Sequence, residues 1–269
     1  GVRALRKLGI QPTVWHMNEG HSAFLVLELM REKVQQGMRF HDAAAEVRRH
    51  AIFTTHTPVP AGNDAFPLPL IEKYFWFYWP QLGLNRDEFM NLALQQQHWG
   101  PTFAMTVLAL KFSSGSNGVS KLHGHVARGM WNWLYPDKPQ DAVPIMSITN
   151  GIHTATWLAP ELRELFDAYM GADWEQNLDD VEMWKKIYDI PNDVLWSVRL
   201  KLKNQLIQFV RELTRMRNVR FDNFQPVSYL MDPNMLTIGF ARRFATYKRA
   251  TLIFRDPERL KALLNHYDR

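Results

Sequence analysis

Four cations within eight positions form the segment whose residue types point most directly to chemistry. Residues 236–250 read LTIGFARRFATYKRA, in which an apolar run is followed by Arg242, Arg243, Lys248 and Arg249. The run 236–240 predicts a buried strand, and the amphipathic stretch from Thr251 to Leu264 predicts a helix. Backbone N–H groups and the helix dipole add to side-chain charge at such a junction. Because buried cations need an anionic partner, we predict a phosphate site here; the alternative is a solvated basic face.

A second group of polar side chains comes directly after predicted strands in the first half of the chain. Its members are Asn18, Glu19, His21, His56 and Asn150. Open α/β sheets bind ligands beyond the carboxyl ends of their strands, so these side chains are expected on one rim. The structural alternative is that Asn18 caps the following helix and that His56 and Asn150 stabilise loops. Their shared position at one edge favours a binding site.

Strand-like and helical segments alternate along the chain, which is typical of an α/β fold with a parallel sheet. The predicted strands are 13–17, 51–55, 145–149 and 236–240. The predicted helical segments are 22–36, 42–49, stretches that dominate 68–112, and a long helix after Pro191. In the long helix an apolar stripe recurs at three- and four-residue spacing, formed by Leu195, Val198, Leu202, Leu206, Phe209 and Leu213.

We place a domain boundary near Gly151, between residues 1–150 and 151–269. The second part would hold only its first strand and helix, and one such unit cannot form an open sheet. We therefore expect the missing strands beyond Arg269 and expect the isolated chain to aggregate through an unpaired strand edge.

The composition limits the possible classes of chemistry. The chain has 269 residues, 46% of them hydrophobic, so it can bury a core. Its net charge of +5 suits acidic small molecules as well as nucleic acid. The absence of cysteine excludes disulfides and thiol nucleophiles, and we assign no metal site. No membrane span or signal peptide is visible, so we expect a cytoplasmic location without membrane contact.

Four ordered segments resemble the α-glucan (glycogen, starch and maltodextrin) phosphorylases in their shorter bacterial and archaeal form. They are residues 15–21 (WHMNEGH), 54–58 (TTHTP), 147–152 (SITNGI) and 239–249 (GFARRFATYKR). The resemblance spans almost the whole chain and implies the GT-B architecture of two Rossmann-like domains. Residues 1–150 would end the N-terminal domain and residues 151–269 would begin the C-terminal one. The implied reaction is phosphorolysis of α-1,4-glucan to glucose 1-phosphate with retained configuration.

The resemblance also implies roles for individual residues. His56 matches the histidine that contacts a hydroxyl of the glucosyl residue and presents its backbone carbonyl near the anomeric carbon. Asn150 matches an asparagine that binds the same sugar. Arg243 and Lys248 match cations that hold the attacking phosphate. Arg242 lies where relatives commonly carry a lysine near the phosphate of pyridoxal phosphate.

Further positions are assigned to substrate binding on the same resemblance. These are Glu19, where many relatives have aspartate, together with His21 and Asn117. Gly20 stands where relatives have threonine, and His123 is a second-tier candidate beside Asn117.

The resemblance implies pyridoxal phosphate as cofactor, bound to a lysine in a glycine-rich segment that nothing in this chain matches. We therefore expect residues 1–269 alone to be an inactive half-site that forms no stable internal aldimine. The implied partners are α-1,4-glucan, inorganic phosphate and glucose 1-phosphate, with a homo-oligomer as a further possibility.

Three alternatives remain open at this point. A nucleotide-sugar glycosyltransferase of the same architecture would also use a cationic pocket, although residues 54–60 match the phosphorylase loop. A basic nucleic-acid-binding module would need a continuous basic stripe with aromatic residues, whereas the basic residues are scattered. A two-carboxylate hydrolase could use Glu19, Asp64 and Glu161, but no spacing marks a pair.

Overall fold

The computed structural model describes residues 1–221 and 231–265 and separates into two compact units, Gly1–Gly151 and Ile152–Arg269. The strands are β1 (Trp15–Asn18), β2 (Ala51–Thr55), β3 (Ala65–Pro67), β4 (Leu94–Gln97), β5 (Gly100–Ala104), β6 (Gly115–Gly118) and β7 (Met146–Ser147). The helices are α1 (Val2–Lys7), α2 (Phe24–Gln35), α3 (Phe40–Arg49), α4 (Leu68–Phe75), α5 (Arg86–Asn91), α6 (Met105–Lys111), α7 (Lys121–Trp131), α8 (Thr154–Trp157), α9 (Pro160–Met170), α10 (Val181–Lys185), α11 (Asn192–Phe221) and α12 (Pro257–Leu264). None of the helices in the described ranges has both the length and the apolarity needed to span a membrane.

The first unit is built on a four-stranded parallel sheet in the order β1-β2-β6-β7, which confirms the predicted mixed α/β class. In the register, Met17 lies beside Phe53, and both side chains are completely buried. The alternate positions face the other side of the sheet, where Asn18, Thr54 and Asn117 form one row. Because side chains alternate along a strand, the sheet has one apolar face and one row of polar side chains at its carboxyl end.

Three of the predicted strands and the first helices are present, with shifted ends. β2 has the predicted bounds, β1 begins at Trp15 rather than at residue 13, and the strand predicted over 145–149 is reduced to β7. The predicted helices 22–36 and 42–49 correspond to α2 and α3. The core of this unit packs α2 and α6 against the sheet through fully buried side chains such as Leu27 and Leu108.

The sequence did not predict β6, which reads GSNG and lacks the β-branched residues typical of strands. The segment becomes a strand because it lies between β2 and β7 and hydrogen-bonds to both. A Cβ at Gly118 would lie 2.9 Å from Gly124 N and 2.9 Å from His123 Nδ1. The end of this strand therefore needs glycine, because α7 begins too close to it for a side chain.

Helices α4, α5 and α6 dominate residues 68–112 as predicted, but a second, antiparallel sheet in the order β3-β5-β4, which was not predicted, interrupts them. The hairpin of β4 and β5 turns at residues 98–99, and Gly100, which begins β5 opposite Gln97, has a φ of +131° that suits glycine. Phe103 is fully buried and stacks on Phe89 with ring centroids 5.6 Å apart. Residues 94–104 form strands between helical segments because this pairing buries the ring of Phe103.

One buried carboxylate connects three elements of the first unit. Glu28 on α2 accepts hydrogen bonds from Arg3 Nε at 2.7 Å, from Arg31 Nε at 3.0 Å and from Tyr78 Oη at 2.8 Å. Burial opposes ionisation of this carboxyl, but the hydrogen bonds from Arg31, Arg3 and Tyr78 outweigh it and lower its pKa to about 2. Burial and the hydrogen bond to Glu28 in turn raise the pKa of Tyr78. The ion pair therefore ties α1 and the Tyr78 segment to α2.

The second unit has a small helical core of its own. The buried members of this core are Leu165, Phe166, Met170, Trp174, Met183 and Ile190. Leu195 and Val198 at the start of α11 pack against this core, whereas Leu206, Phe209 and Leu213 further along the same stripe are 50%, 61% and 44% exposed. The predicted apolar stripe is thus covered only in its first part by described residues.

One predicted strand of the second unit is wrong, and the helix predicted over 251–264 is present as α12 with a different first part. Residues 236–240 form no strand, and Ile238 and Phe240 are about half exposed. A strand needs a neighbour for its backbone groups, and residues 152–221 and 231–265 contain none. The helix predicted from Thr251 is a 3₁₀ segment, Ala250–Phe254, followed by α12. Pro257 disfavours a helical residue before it, and Asp256 caps α12 by accepting from Arg259 N at 3.0 Å.

Candidate functional site

The carboxyl end of β1 turns sharply at Glu19, whose backbone has φ +74° and ψ 162°. This region of backbone space is essentially restricted to glycine, because a Cβ crowds the neighbouring carbonyl. Glu19 N donates to Thr54 O at 2.8 Å, which places the turn beside the end of β2. The next residue, Gly20, is buried, and a Cβ there would lie 2.9 Å from Thr106 Oγ1. Close packing against α6 therefore accounts for glycine where relatives are expected to have threonine.

The half-buried carboxylate of Glu19 is bound by the loop that follows β2. Its Oε2 accepts from His56 N at 2.7 Å and from Thr57 Oγ1 at 2.9 Å, and its Oε1 accepts from Gly20 N at 3.0 Å. A carboxylate has about four acceptor positions, so roughly three are used within the protein. Glu19 thus joins the ends of two adjacent strands.

The ring of His56 is held separately from its backbone. His56 Nε2 lies 2.5 Å from Asn18 Oδ1, the residue before Glu19. An amide oxygen can only accept, so Nε2 carries the hydrogen in this pair. The side chain of His56 remains exposed, and Nδ1 has no partner in the described part of the chain. His56 therefore presents one free ring nitrogen at the edge of the sheet.

A chain of hydrogen bonds crosses the polar row of the sheet and reaches Asn117. Thr54 Oγ1 donates to Asn117 Oδ1 at 2.9 Å and lies 2.8 Å from His16 Nε2. Because the hydroxyl hydrogen is given to Asn117, the histidine nitrogen is the donor in the second contact. Asn117 Nδ2 donates to Gly118 O at 3.2 Å. Asn117 is therefore oriented by its neighbours on the strand ends.

The remaining predicted residues of this unit differ in their placement. Asn150 is exposed, and its backbone N donates to Val119 O at 3.2 Å, so it lies beside the end of β6. His21 is exposed on the 3₁₀ turn after β1 and makes no hydrogen bond to the other predicted site residues within the described ranges. It lines a concavity of about 450 Å³ together with Val2 and Phe24. Glu19, His56 and Asn117 are thus connected through hydrogen bonds at the ends of β1, β2 and β6. Asn150 lies beside the end of β6 without a side-chain contact to them, and His21 lines a concavity that none of them lines.

His123 is buried behind the end of β6 rather than at the edge. Its Nδ1 accepts from Val119 N at 3.1 Å, and its Nε2 is buried without a partner among the described residues. Ser120 caps α7 by accepting from His123 N at 3.1 Å. These contacts give His123 a structural place in the turn between β6 and α7.

In the second unit, the predicted burial of the cations is wrong. Arg242 and Arg243 follow the exposed segment 236–240 and are themselves exposed. Lys248 is half-buried, with Nζ 4.7 Å from the ring centroid of Tyr247. These cations do not follow a buried strand, so the desolvation argument for an anion partner fails for the described structure.

The structure adds Thr57, which sequence reasoning did not assign to the site and which binds the Glu19 carboxylate. Asn18, expected at this rim with a helix cap as the alternative, contacts the His56 ring, and the 3₁₀ turn is capped by Glu19. The available signal for Thr57 was its position next to His56 at the end of a predicted strand.

Comparison with known proteins identifies the family. The family model described as carbohydrate phosphorylase matches residues 4–253. The chain is 44% identical to the maltodextrin phosphorylase of Thermococcus litoralis over 269 residues, which cover 100% of this chain and 32% of that protein. It is 39% identical to a glycogen phosphorylase of Mycobacterium tuberculosis, covering 98% of this chain and 32% of that protein. It is 34% identical to the glycogen phosphorylase of Aquifex aeolicus, covering 100% of this chain and 39% of that protein. The chain, which spans about a third of the length of these relatives, belongs to the carbohydrate phosphorylase family.

Proposed function

We propose that the protein containing this chain is an α-glucan phosphorylase. It transfers a glucosyl unit from the non-reducing end of an α-1,4-glucan to inorganic phosphate, releasing glucose 1-phosphate with retained configuration. Family membership and the names of the relatives support this reaction class. The observation that carries the proposal is His56, held at the carboxyl edge of the parallel sheet by Asn18 and Glu19.

The sheet edge supplies groups suited to a sugar. The imidazole of His56 and the amides of Asn117 and Asn150 are hydrogen-bonding groups that match the hydroxyls of a sugar. The Glu19 carboxylate is largely occupied inside the protein. We assign His56 to a hydroxyl of the transferred glucosyl unit, with its backbone carbonyl near the anomeric carbon, and Asn150 to the same sugar.

The phosphate that attacks the sugar is assigned to Arg243 and Lys248. The transition state has oxocarbenium character, so a fixed phosphate dianion beside it lowers its energy, and fixed cations must hold that dianion. Arg243 forms no ion pair with any residue in 1–221 or 231–265, which leaves its N–H groups available for an anion. This availability supports the assignment.

The pyridoxal phosphate of this family supplies a phosphate group that moves a proton during the reaction. Arg242 is the cation of this chain assigned near that group. The described residues around it are exposed and form no enclosure for a cofactor, so they do not by themselves fit it. No step is assigned through the cofactor on this chain.

The test uses the full-length protein, maltodextrin and inorganic phosphate. We expect phosphate-dependent release of glucose 1-phosphate; release of free glucose would indicate a hydrolase, and transfer only from a nucleotide sugar would indicate the alternative transferase. Arg243→Ala should raise the KM for phosphate by about 10- to 100-fold, since a charge-assisted hydrogen bond contributes roughly 1.5 to 3 kcal/mol. Arg259→Ala, an exposed arginine on α12, is the matched control and should leave that KM unchanged. Unchanged phosphate kinetics in Arg243→Ala would contradict the assignment.

A further inference from the structure

The pair Asn18–Glu19 contacts the candidate sugar-binding histidine at two independent points. Glu19 Oε2 accepts from the backbone N–H of His56 at 2.7 Å, and Asn18 Oδ1 accepts from the ring Nε2 at 2.5 Å. Two adjacent residues of one strand end thus hold both the backbone and the ring of a residue on the next strand. We propose that Asn18 and Glu19 are positioning residues that fix His56 with its hydrogen on Nε2 and its free Nδ1 as the acceptor for a sugar hydroxyl.

The backbone of Glu19 supports a dedicated role. At φ +74° and ψ 162° a glutamate is strained, and glycine would occupy this turn without strain. The carboxylate of this strained residue makes the contacts to His56 N and Thr57 Oγ1, which glycine could not make. Strain of this kind persists only where surrounding contacts determine the conformation, and it concentrates at functional sites.

The ring contact decides what His56 can do chemically. A neutral imidazole has one donor and one acceptor nitrogen, and the group bound to one nitrogen sets the role of the other. Because Asn18 Oδ1 takes the Nε2 hydrogen, Nδ1 is left as an acceptor on an exposed side chain. A sugar hydroxyl then donates to Nδ1, and its own oxygen stays free to accept another hydrogen bond. This role rests on the proposed phosphorylase function; the hydrogen position does not.

The first experiment locates the hydrogen on the ring without using activity. Neutron diffraction from crystals of the deuterated full-length protein should show it on Nε2 of His56. In Asn18→Leu, which has a similar shape but no acceptor, Nε2 should lose this preference. A hydrogen on Nδ1 in the unmodified protein would overturn the proposal whether or not the protein proves to be a phosphorylase.

The second experiment tests the acceptor role in the direction of glucan synthesis. The substrates are glucose 1-phosphate and its analogues in which one hydroxyl at a time is replaced by fluorine, which cannot donate. For one analogue, the unmodified protein should show a lower kcat/KM than for glucose 1-phosphate. In Asn18→Leu the ratio of the kcat/KM for glucose 1-phosphate to that for this analogue should be about three- to tenfold smaller, because one neutral hydrogen bond contributes that much. Comparing variant with unmodified protein for the same analogue cancels the intrinsic effect of fluorine. Equal discrimination in both proteins would overturn the proposal.

Three further variants separate positioning from folding. Asn18→Asp keeps an acceptor and should retain the discrimination that Asn18→Leu loses. Glu19→Gln places an amide N–H₂ against donors of the His56 loop and should lower kcat at least tenfold with a smaller change in the KM for glucan. Glu46→Gln, on α3 near the amino end of β2, is the control and should behave as the unmodified protein. A Glu19→Gln variant that changed only KM would show that Glu19 binds substrate instead. If the unmodified protein released no glucose 1-phosphate, the proposed function would fail while the diffraction result still decided the positioning.

Discussion

The buried ion pair at Glu28 yields a stability prediction whose size and sign follow from the structure. Its carboxyl pKa is lowered from an ordinary 4.5 to about 2. A carboxyl whose pKa is lowered this far on folding contributes about 3 kcal/mol of stability at neutral pH. Glu28→Gln keeps the shape but removes the charge, and it leaves Arg31, whose side chain is only 14% exposed, without its counterion. We therefore expect Glu28→Gln to lower the free energy of unfolding by about 3 kcal/mol at pH 7.

The pH dependence of this loss has a defined direction. The folded-state pKa lies below the unfolded one, so the contribution is complete above about pH 5 and is lost as the pH falls towards 2. The difference between the unmodified protein and Glu28→Gln should therefore shrink on acidification, by about 2 kcal/mol between pH 7 and pH 3. Glu28→Gln has no carboxyl to protonate at this position, so its stability should lack this loss on acidification.

The assay is urea unfolding of the full-length protein, followed by tryptophan fluorescence at several pH values. Arg3→Gln is the matched control, because Arg3 also binds Glu28 but is 67% exposed, so its loss should be within about 1 kcal/mol. If the difference in the free energy of unfolding between Glu28→Gln and the unmodified protein did not change with pH, the linkage argument would be refuted. If Arg3→Gln lowered the free energy of unfolding as much as Glu28→Gln does, the role assigned to burial would be refuted.

Three other predictions concern the ends of β1 and β2. In urea unfolding, Glu19→Gly should be more stable than Glu19→Ala by about 1 kcal/mol, because glycine relieves backbone strain of about 1–3 kcal/mol at φ +74°. An alanine variant more stable than the glycine variant would contradict this. Gly20→Ala should lower stability by about 1–3 kcal/mol, because its Cβ would lie 2.9 Å from Thr106 Oγ1, whereas Gly37→Ala has open space around the Cβ and tests the φ effect alone. His56→Ala should reduce kcat for phosphorolysis far more than it raises the KM for glucan, since other units of the polymer still bind; near-normal turnover with a raised KM would make His56 a binding residue only.

The sequence determined the elements whose local pattern agrees with their environment. Strand β2 and helices α2 and α3 lie where apolar periodicity predicts them, because their buried faces are covered within the first unit. The position of polar residues after β1 and β2 was enough to predict that Asn18, Glu19 and His56 lie on one rim of the sheet. Parallel strands end at one edge, so this inference needs only the order of the elements.

The tertiary structure decided the elements whose local sequence is weak or ambiguous. The strand β6 reads GSNG and exists only because β2 and β7 pair with it, while β4 and β5 form around the buried Phe103. The opposite case is the apolar segment 236–240, which has strand-like residues but no described neighbour to pair with. Strand formation depends on hydrogen bonds to another strand, which lies elsewhere in the sequence.

The chemistry of the site divides in the same way. The sequence by itself determined the residue types at the sheet edge and, through its ordered motifs, the resemblance to a family. Tertiary contacts were needed to establish that Glu19 binds the His56 backbone, that Asn18 binds its ring and that His21 lines a concavity with Val2 and Phe24. Contacts of this kind join residues about 38 positions apart and depend on a strained φ, and neither the distance nor the strain can be read from local residue preferences.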